Sequence, residues 1–147
     1  MVYKHILVGY DGSEASKKAV QKALDLAKVL GAKLHLVTVV PSPVPLVGEL
    51  LVPEVITVSE ILESAEKTLA KLAQEIESTT GLPVEYTVAE GDPAEEIVET
   101  AKRCGCDLIV VGRRGAGRLE RLLLGSVSEK VVKITKGVDV LVVETRR

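Results

Sequence analysis

The chain contains no phenylalanine and no tryptophan, and its aromatic side chains are Tyr3, Tyr10 and Tyr86. Stacking of bases on aromatic faces, the common route to single-stranded nucleic acid, is excluded as a main binding mode. The core has to be built from Val, Leu, Ile and Ala. Cysteine is scarce as well. Cys104 and Cys106 stand one residue apart, and such neighbours cannot tie distant loops together, so no disulfide framework is expected. Neither sign of charge dominates. The 19 Lys and Arg against 21 Asp and Glu leave a formal charge of −2, which excludes general nucleic-acid binding by the molecule as a whole. No apolar run approaches the ~18 residues of a membrane span. The opening stretch up to Asp11 has too short an apolar run for a secretory leader and no small-residue cleavage site. A reduced, soluble, cytoplasmic protein is the expectation.

What is present reads as globular. With 46% apolar and 27% charged residues over 147 positions, the composition fits one domain spanning 1–147. Five short runs rich in Val, Ile and Leu, at 4–10, 33–40, 83–89, 107–112 and 138–143, read as strands. The fourth and fifth are almost continuously apolar, the pattern of strands covered on both faces. Helical patterns lie between them. The first, over about 13–30, puts Ala19, Ala23, Leu26, Ala27 and Leu30 on one face and stops at Gly31. The second covers about 58–78, with Thr57 and Glu60 as a capping box and Gly81 beyond its end. The third opens with Asp92 as cap, Pro93 in the first turn and Glu95 reaching back, and Gly105 follows it. The fourth begins near Ser126, turns Val127, Val131 and Ile134 inward and stops at Gly137.

Strand and helix alternate four times before a closing strand. That order specifies an α/β fold with a parallel sheet, helices on both faces and right-handed crossovers. One connection is irregular: 41–58 holds four of the chain's prolines together with apolar Leu46, Val47, Leu50 and Leu51. It reads either as an insertion or as a lid or partner surface.

In open parallel sheets ligands bind beyond the carboxyl ends of the strands, where strand order reverses. Two segments suit that place. After the first strand comes Gly9-Tyr10-Asp11-Gly12-Ser13; after the fourth comes Gly112-Arg113-Arg114-Gly115-Ala116-Gly117, and then Gly125-Ser126 at the start of the fourth helix. Glycines let backbone N–H groups approach a ligand closely, and a helix start offers free N–H groups and a positive dipole end to a phosphate. Arg113, Arg114, Arg118 and Arg121 face a single acid, Glu120, in this window, an excess suited to a polyanion. Turn glycines and solvated arginines are the alternative account.

The spacing Gly112-x-x-Gly115, nine residues, then Gly125-Ser126 resembles the nucleotide-binding signature of the universal stress protein family. The first strand and turn His5-Ile6-Leu7-Val8-Gly9-Tyr10-Asp11, the run Leu124-Gly125-Ser126-Val127-Ser128-Glu129 and the ending Val140-Leu141-Val142-Val143 are similar to it too, so the resemblance covers essentially the whole chain. It implies a Rossmann-like five-stranded sheet of order 3-2-1-4-5 and a homodimer, often joined through the last strand. The intact glycine signature implies the ATP-binding subgroup and a stress-linked regulatory role. By position, the resemblance places Asp11 at the ribose, Val39 against adenine and Val111 and Gly112 along the nucleoside. It has Gly115, Gly125, Ser126 and Val127 cradle the phosphates, with ATP as ligand and Mg²⁺ as a possible companion. Arg113 stands where a small Ser is common, and Asp139 where Pro often precedes the last strand.

Other chemistries are poorly supported. There is no Gly-x-x-x-x-Gly-Lys-Ser/Thr loop, no Gly-x-Gly-x-x-Gly after the first strand, and Glu90 rather than an aspartate ends the third strand. His5 and His35 read as structural strand residues without Cys or His at metal spacing, so no metal site is expected. Ser13 reads as a cap rather than a nucleophile. The acidic group Glu90, Asp92, Glu95 and Glu96 reads as capping and dipole pairing for the third helix, with Mg²⁺ beside the phosphates as the alternative. No general base or activated nucleophile is identified. A slow nucleotide hydrolase and a dimeric interaction protein with no bound nucleotide stay open as alternatives. No nucleic-acid or membrane partner is expected.

Overall fold

The computed structural model describes residues 2–41, 58–113 and 126–144. Its elements run β1 (His5–Gly9), α1 (Glu14–Leu30), β2 (Lys33–Val40), α2 (Val58–Thr80), β3 (Val84–Glu90), α3 (Pro93–Cys104), β4 (Leu108–Gly112), α4 (Ser126–Ile134) and β5 (Asp139–Val143). All neighbouring strands are parallel and the sheet order is β3-β2-β1-β4-β5. This is the expected α/β architecture with the expected strand order.

Helix boundaries follow from local chemistry. Ser13 is extended, and its hydroxyl accepts the Ser16 N–H at 3.2 Å, starting α1. The helix stops at Gly31, whose φ of 69° lets its N–H return to the Ala27 carbonyl. Asp92 caps α3 by accepting the Glu95 N–H at 3.0 Å, with Pro93 in the first turn. The Glu95 carboxylate does not complete a capping box; it meets Lys130 of α4 at 3.2 Å. The Thr57 half of the expected box on α2 lies outside the described residues, as does 42–57 of the irregular connection.

The sheet is covered by a cluster of buried side chains on each face. Successive strand residues point to opposite faces, so Ile6 and Val8 join Leu34, Leu36 and Leu69 under α1 and α2. Leu7 joins Val37, Ile109, Ile97 and Val131 under α3 and α4. Each fully buried Leu or Ile contributes roughly 1.5–3 kcal/mol of transfer free energy. The face of α1 turned to the sheet is mostly small: Ala15, Ser16, Ala19, Ala23 and Ala27 with Val20. That lets the helix axis approach the strands closely. β4 is buried as expected, but β5 is not. It lies at the sheet edge, and Val140, Leu141 and Val142 are only half-buried. An apolar run alone does not distinguish a central strand from an edge strand whose outer side has no neighbour.

Candidate functional site

β1 and β4 are adjacent where the strand order reverses, and the chain leaves both at the same edge. Beyond β1 the backbone is pinned. The Tyr10 N–H donates to the Val37 carbonyl at 2.8 Å, and the Tyr10 carbonyl accepts from Thr38 Oγ1 at 2.8 Å. A tight turn follows. Asp11 Oδ1 accepts the Ser13 N–H at 3.0 Å, and the Asp11 N–H donates to Ser16 Oγ at 3.2 Å. The Ser16 hydroxyl in turn donates to the Ser13 carbonyl at 2.9 Å. The turn therefore holds the Asp11 carboxylate by one oxygen at the solvent-exposed rim.

Beyond β4 the decisive residue is Gly112. A Cβ placed there would lie 2.3 Å from the Ala15 carbonyl oxygen and 2.7 Å from its carbon. The end of β4 meets the first turn of α1 so closely that only hydrogen fits. The next residue, Arg113, donates its N–H to the Val143 carbonyl at 2.8 Å and pairs through Nη1 with Glu144 at 2.9 Å. Part of the arginine excess expected here is thus matched by an acid at the end of β5. Arg114, Arg118 and Arg121 lie outside the described residues.

These pieces enclose a cavity of about 240 Å³. Gly9, Val111 and Gly112 form its floor, with Val37 and Val39 of β2 on one side. Pro93 and Ile97 of α3 and Val127 and Ser128 of α4 form the other side. Asp11, Ser13 and Ser16 bring the polar groups. The lining suits a flat, largely apolar ligand with one polar edge. The amino ends of α1, α3 and α4 converge on this edge of the sheet, and each carries a partial positive charge. At α3 that charge is already used. The Asp92 carboxyl is held below its ordinary range by the Glu95 N–H and by Lys130, which lies 3.1 Å away. Lys130 is raised in turn by Asp92 and Glu95. The acidic group on α3 is therefore engaged in capping and in an α3–α4 bridge.

Of the residues singled out from sequence, Asp11, Val39, Val111, Gly112 and Val127 border this cavity together. Ser126 occupies the exposed first position of α4. Gly115 and Gly125 lie outside the described residues. Sequence reasoning missed Pro93 and Ile97 as lining. Both were legible as the start of a helix following β3, but only the crossover carries that helix end to the β1–β4 edge.

The match to known proteins is broad. A family model described as the universal stress protein family covers residues 2–144. The chain belongs to the universal stress protein family. Universal stress protein YxiE of Bacillus subtilis is 38% identical over 141 residues, covering 91% of this chain and 95% of that protein. A universal stress protein of Thermus aquaticus is 41% identical over 133 residues, covering 89% of this chain and 92% of that protein. Among solved structures, a universal stress protein in complex with cAMP superposes with a TM-score of 0.72 at 28% identity, covering 99% of this chain and all of the other. The universal stress protein fold thus accounts for the strand order. Among the described residues, no helix is long and apolar enough to cross a membrane.

Proposed function

We propose that this universal stress protein binds an adenine nucleotide, ATP in the reading that its glycine spacing supports, and acts as a regulatory binding module. The observation that carries this is the cavity between the ends of β1 and β4, with aliphatic walls and Asp11 at its rim. At about 240 Å³ it is slightly smaller than the ~300–1,000 Å³ usual for small-molecule sites. That size suits a base and sugar, with the phosphates reaching toward the start of α4 and the Gly115–Gly125 segment. A carboxylate beside phosphates would repel them, so Asp11 belongs at the sugar hydroxyls. A pocket without aromatic walls has to hold adenine by aliphatic contact, and Val39 and Val111 supply it. The solved relative bound to cAMP supports an adenine nucleotide as the ligand class.

Among the lining residues the titratable side chains are Tyr10 and Asp11, and the Asp11 carboxylate already accepts a backbone hydrogen bond. This supports binding over turnover. The test is calorimetry of the purified chain with ATP and with cAMP, joined to mass spectrometry of small molecules released on denaturation. Saturable binding of an adenine nucleotide that Asp11→Ala weakens supports the reading. No heat with either ligand at millimolar concentration would defeat it. Release of product faster than roughly 1 s⁻¹, an ordinary enzyme value, would make the protein an enzyme instead.

A further inference from the structure

The opposite edge of the sheet carries a second cluster that the nucleotide site does not use. His5 of β1, His35 of β2 and Glu85 of β3 lie side by side across three strands. His35 pairs in register with Glu85, and His5 lies one step along on the same face. One ligand atom from each of the three falls within 4.8 Å of the others. Glu85 Oε1 sits 3.4 Å from His35 Nδ1 and 3.7 Å from His5 Nε2. Both nitrogens are buried, and neither makes a hydrogen bond. The His35 side chain is 95% buried, given its 5% exposure.

Unpaired buried polar atoms are costly, and here two of them surround one carboxylate oxygen. The other side of His35 is engaged: Nε2 lies 2.7 Å from Thr87 Oγ1. When Nε2–H donates to that hydroxyl, Nδ1 is left with a lone pair turned toward Glu85. In that tautomer a lone pair and a carboxylate face each other, an arrangement that a metal cation between them would satisfy. The carboxyl end of α3 also closes on this place. Its last residue, Cys104, has Sγ 3.9 Å from His35 Nε2, and a helix carboxyl end favours positive charge.

We propose that His5 Nε2, His35 Nδ1 and Glu85 Oε1 form a binding site for a divalent transition-metal ion, with zinc as the best-matched ion. Two imidazoles and a carboxylate are a zinc donor set, with ligand bonds of about 2.0–2.2 Å. Tetrahedral ligands at that range stand about 3.3 Å apart, so the 3.4 and 3.7 Å separations from Glu85 contract by tenths of an ångström, and the two nitrogens, within 4.8 Å of each other, close up with them. Calcium and magnesium prefer all-oxygen shells and are disfavoured. Thr87 is the outer-shell partner: its hydroxyl accepts from Nε2–H in the tautomer that leaves Nδ1 for the ion. The Glu85 side chain is 57% exposed, so the ion enters from that side and water completes its coordination. The ion would tie three strands together at the end of the sheet remote from the cavity. The chain spacing of these residues shows no metal pattern, because the ligands come from three different strands.

The test uses the full chain, reduced and stripped of metal. Zinc is titrated in competition with a chromophoric chelator, and thermal unfolding is followed with and without zinc. One zinc per chain, with a rise of several degrees in Tm, is expected. Glu85→Gln and His5→Gln should each weaken binding more than about tenfold, and Thr87→Val by roughly 10–100-fold. Cys104→Ser should leave it unchanged. Since Glu85 is exposed, Glu85→Gln should fold and keep its nucleotide affinity, which checks that loss of zinc is local. Absence of saturation at one equivalent overturns the proposal. So does wild-type affinity in Glu85→Gln, or loss of binding in Cys104→Ser.

Discussion

The two edges of this sheet are built from the same strands and differ in almost every chemical respect. The carboxyl edge is glycine-rich and aliphatic, with Gly9, Gly112, Val39 and Val111 around a cavity and helix amino ends pointing at it. The amino edge is crowded with titratable groups. His5, His35, Glu85 and Cys104 lie there, and the Asp107 carboxylate accepts the N–H groups of Lys4 and His5 at 2.9 and 3.1 Å. Parallel connectivity explains the split. Every strand delivers its carboxyl end to one edge, so the loops able to adapt to a ligand gather there, with helix amino ends that attract anions. The other edge receives helix carboxyl ends, which favour cations. One edge is thereby suited to a phosphorylated ligand and the other to a positive ion.

The largest expected effect is at Gly112. Replacing it by Ala drives a methyl group into the Ala15 carbonyl, and backbone cannot step aside as a side chain can. A loss of roughly 1–3 kcal/mol or more is expected in urea unfolding. Gly9→Ala meets only the tip of Ile97, 3.2 Å away, and should cost clearly less. Equal losses at the two positions would show that the close approach of α1 to β4 is not the constraint.

Next comes the separation of the two edges. Asp11→Ala removes a hydrogen-bonding carboxylate from the cavity rim and should weaken adenine nucleotide roughly 10–100-fold, while zinc affinity stays put. Gly125→Val should also weaken the nucleotide by filling phosphate space. A change in zinc affinity in either variant would mean that the edges communicate.

A smaller effect concerns acid. Burial is the largest cause lowering His35, Glu85 opposes it and His5 adds to it. The folded chain therefore takes up this proton at lower pH than the unfolded chain does. The stability that neutral His35 contributes is complete above the ordinary value of 6.5 and drains away as the pH falls from there toward the depressed folded value. In metal-free protein, the urea midpoint should fall as the pH drops below about 6.5, and His35→Gln should flatten that fall. An unchanged slope in the variant would assign the acid sensitivity to other groups.

The smallest effect is at the thiols. Cys106 is buried and, chiefly by burial, its thiol is pushed up to about 12. It should resist alkylation at pH 8 until the chain unfolds, whereas half-buried Cys104 reacts in the native state. Peptide mapping after brief iodoacetamide treatment reads this directly, and equal labelling would show that the end of α3 opens readily.

Much of the carboxyl edge is legible in the sequence. Alternating strand and helix signals, the Ser13 and Asp92 caps and the glycines around 112 identify a parallel sheet and a switch-point site, because each is a local property of backbone and side chain. Val39 was reachable only through resemblance, since nothing local tells a strand-end valine that borders a ligand from one that fills a core. The edge position of β5 was not legible either: its apolar run matches that of β4, and what separates them is whether a further strand lies alongside. Ile97 carries no local signal of its role either, because helical periodicity turns it inward but does not say toward which end of the sheet.

Sequence alone determined the architecture, since the alternation of periods and the caps and stops act over a few residues and leave one economical way to bury the apolar faces. Tertiary structure decided the meetings across strands. His5, His35 and Glu85 are 30 and 50 residues apart along the chain, and only strand order and register set them on one face within reach of a common ion. The same holds for Gly112, whose need for a bare hydrogen arises from an α1 backbone nearly a hundred residues earlier in the chain. Contacts of this kind depend on how whole elements pack, and no local pattern encodes them.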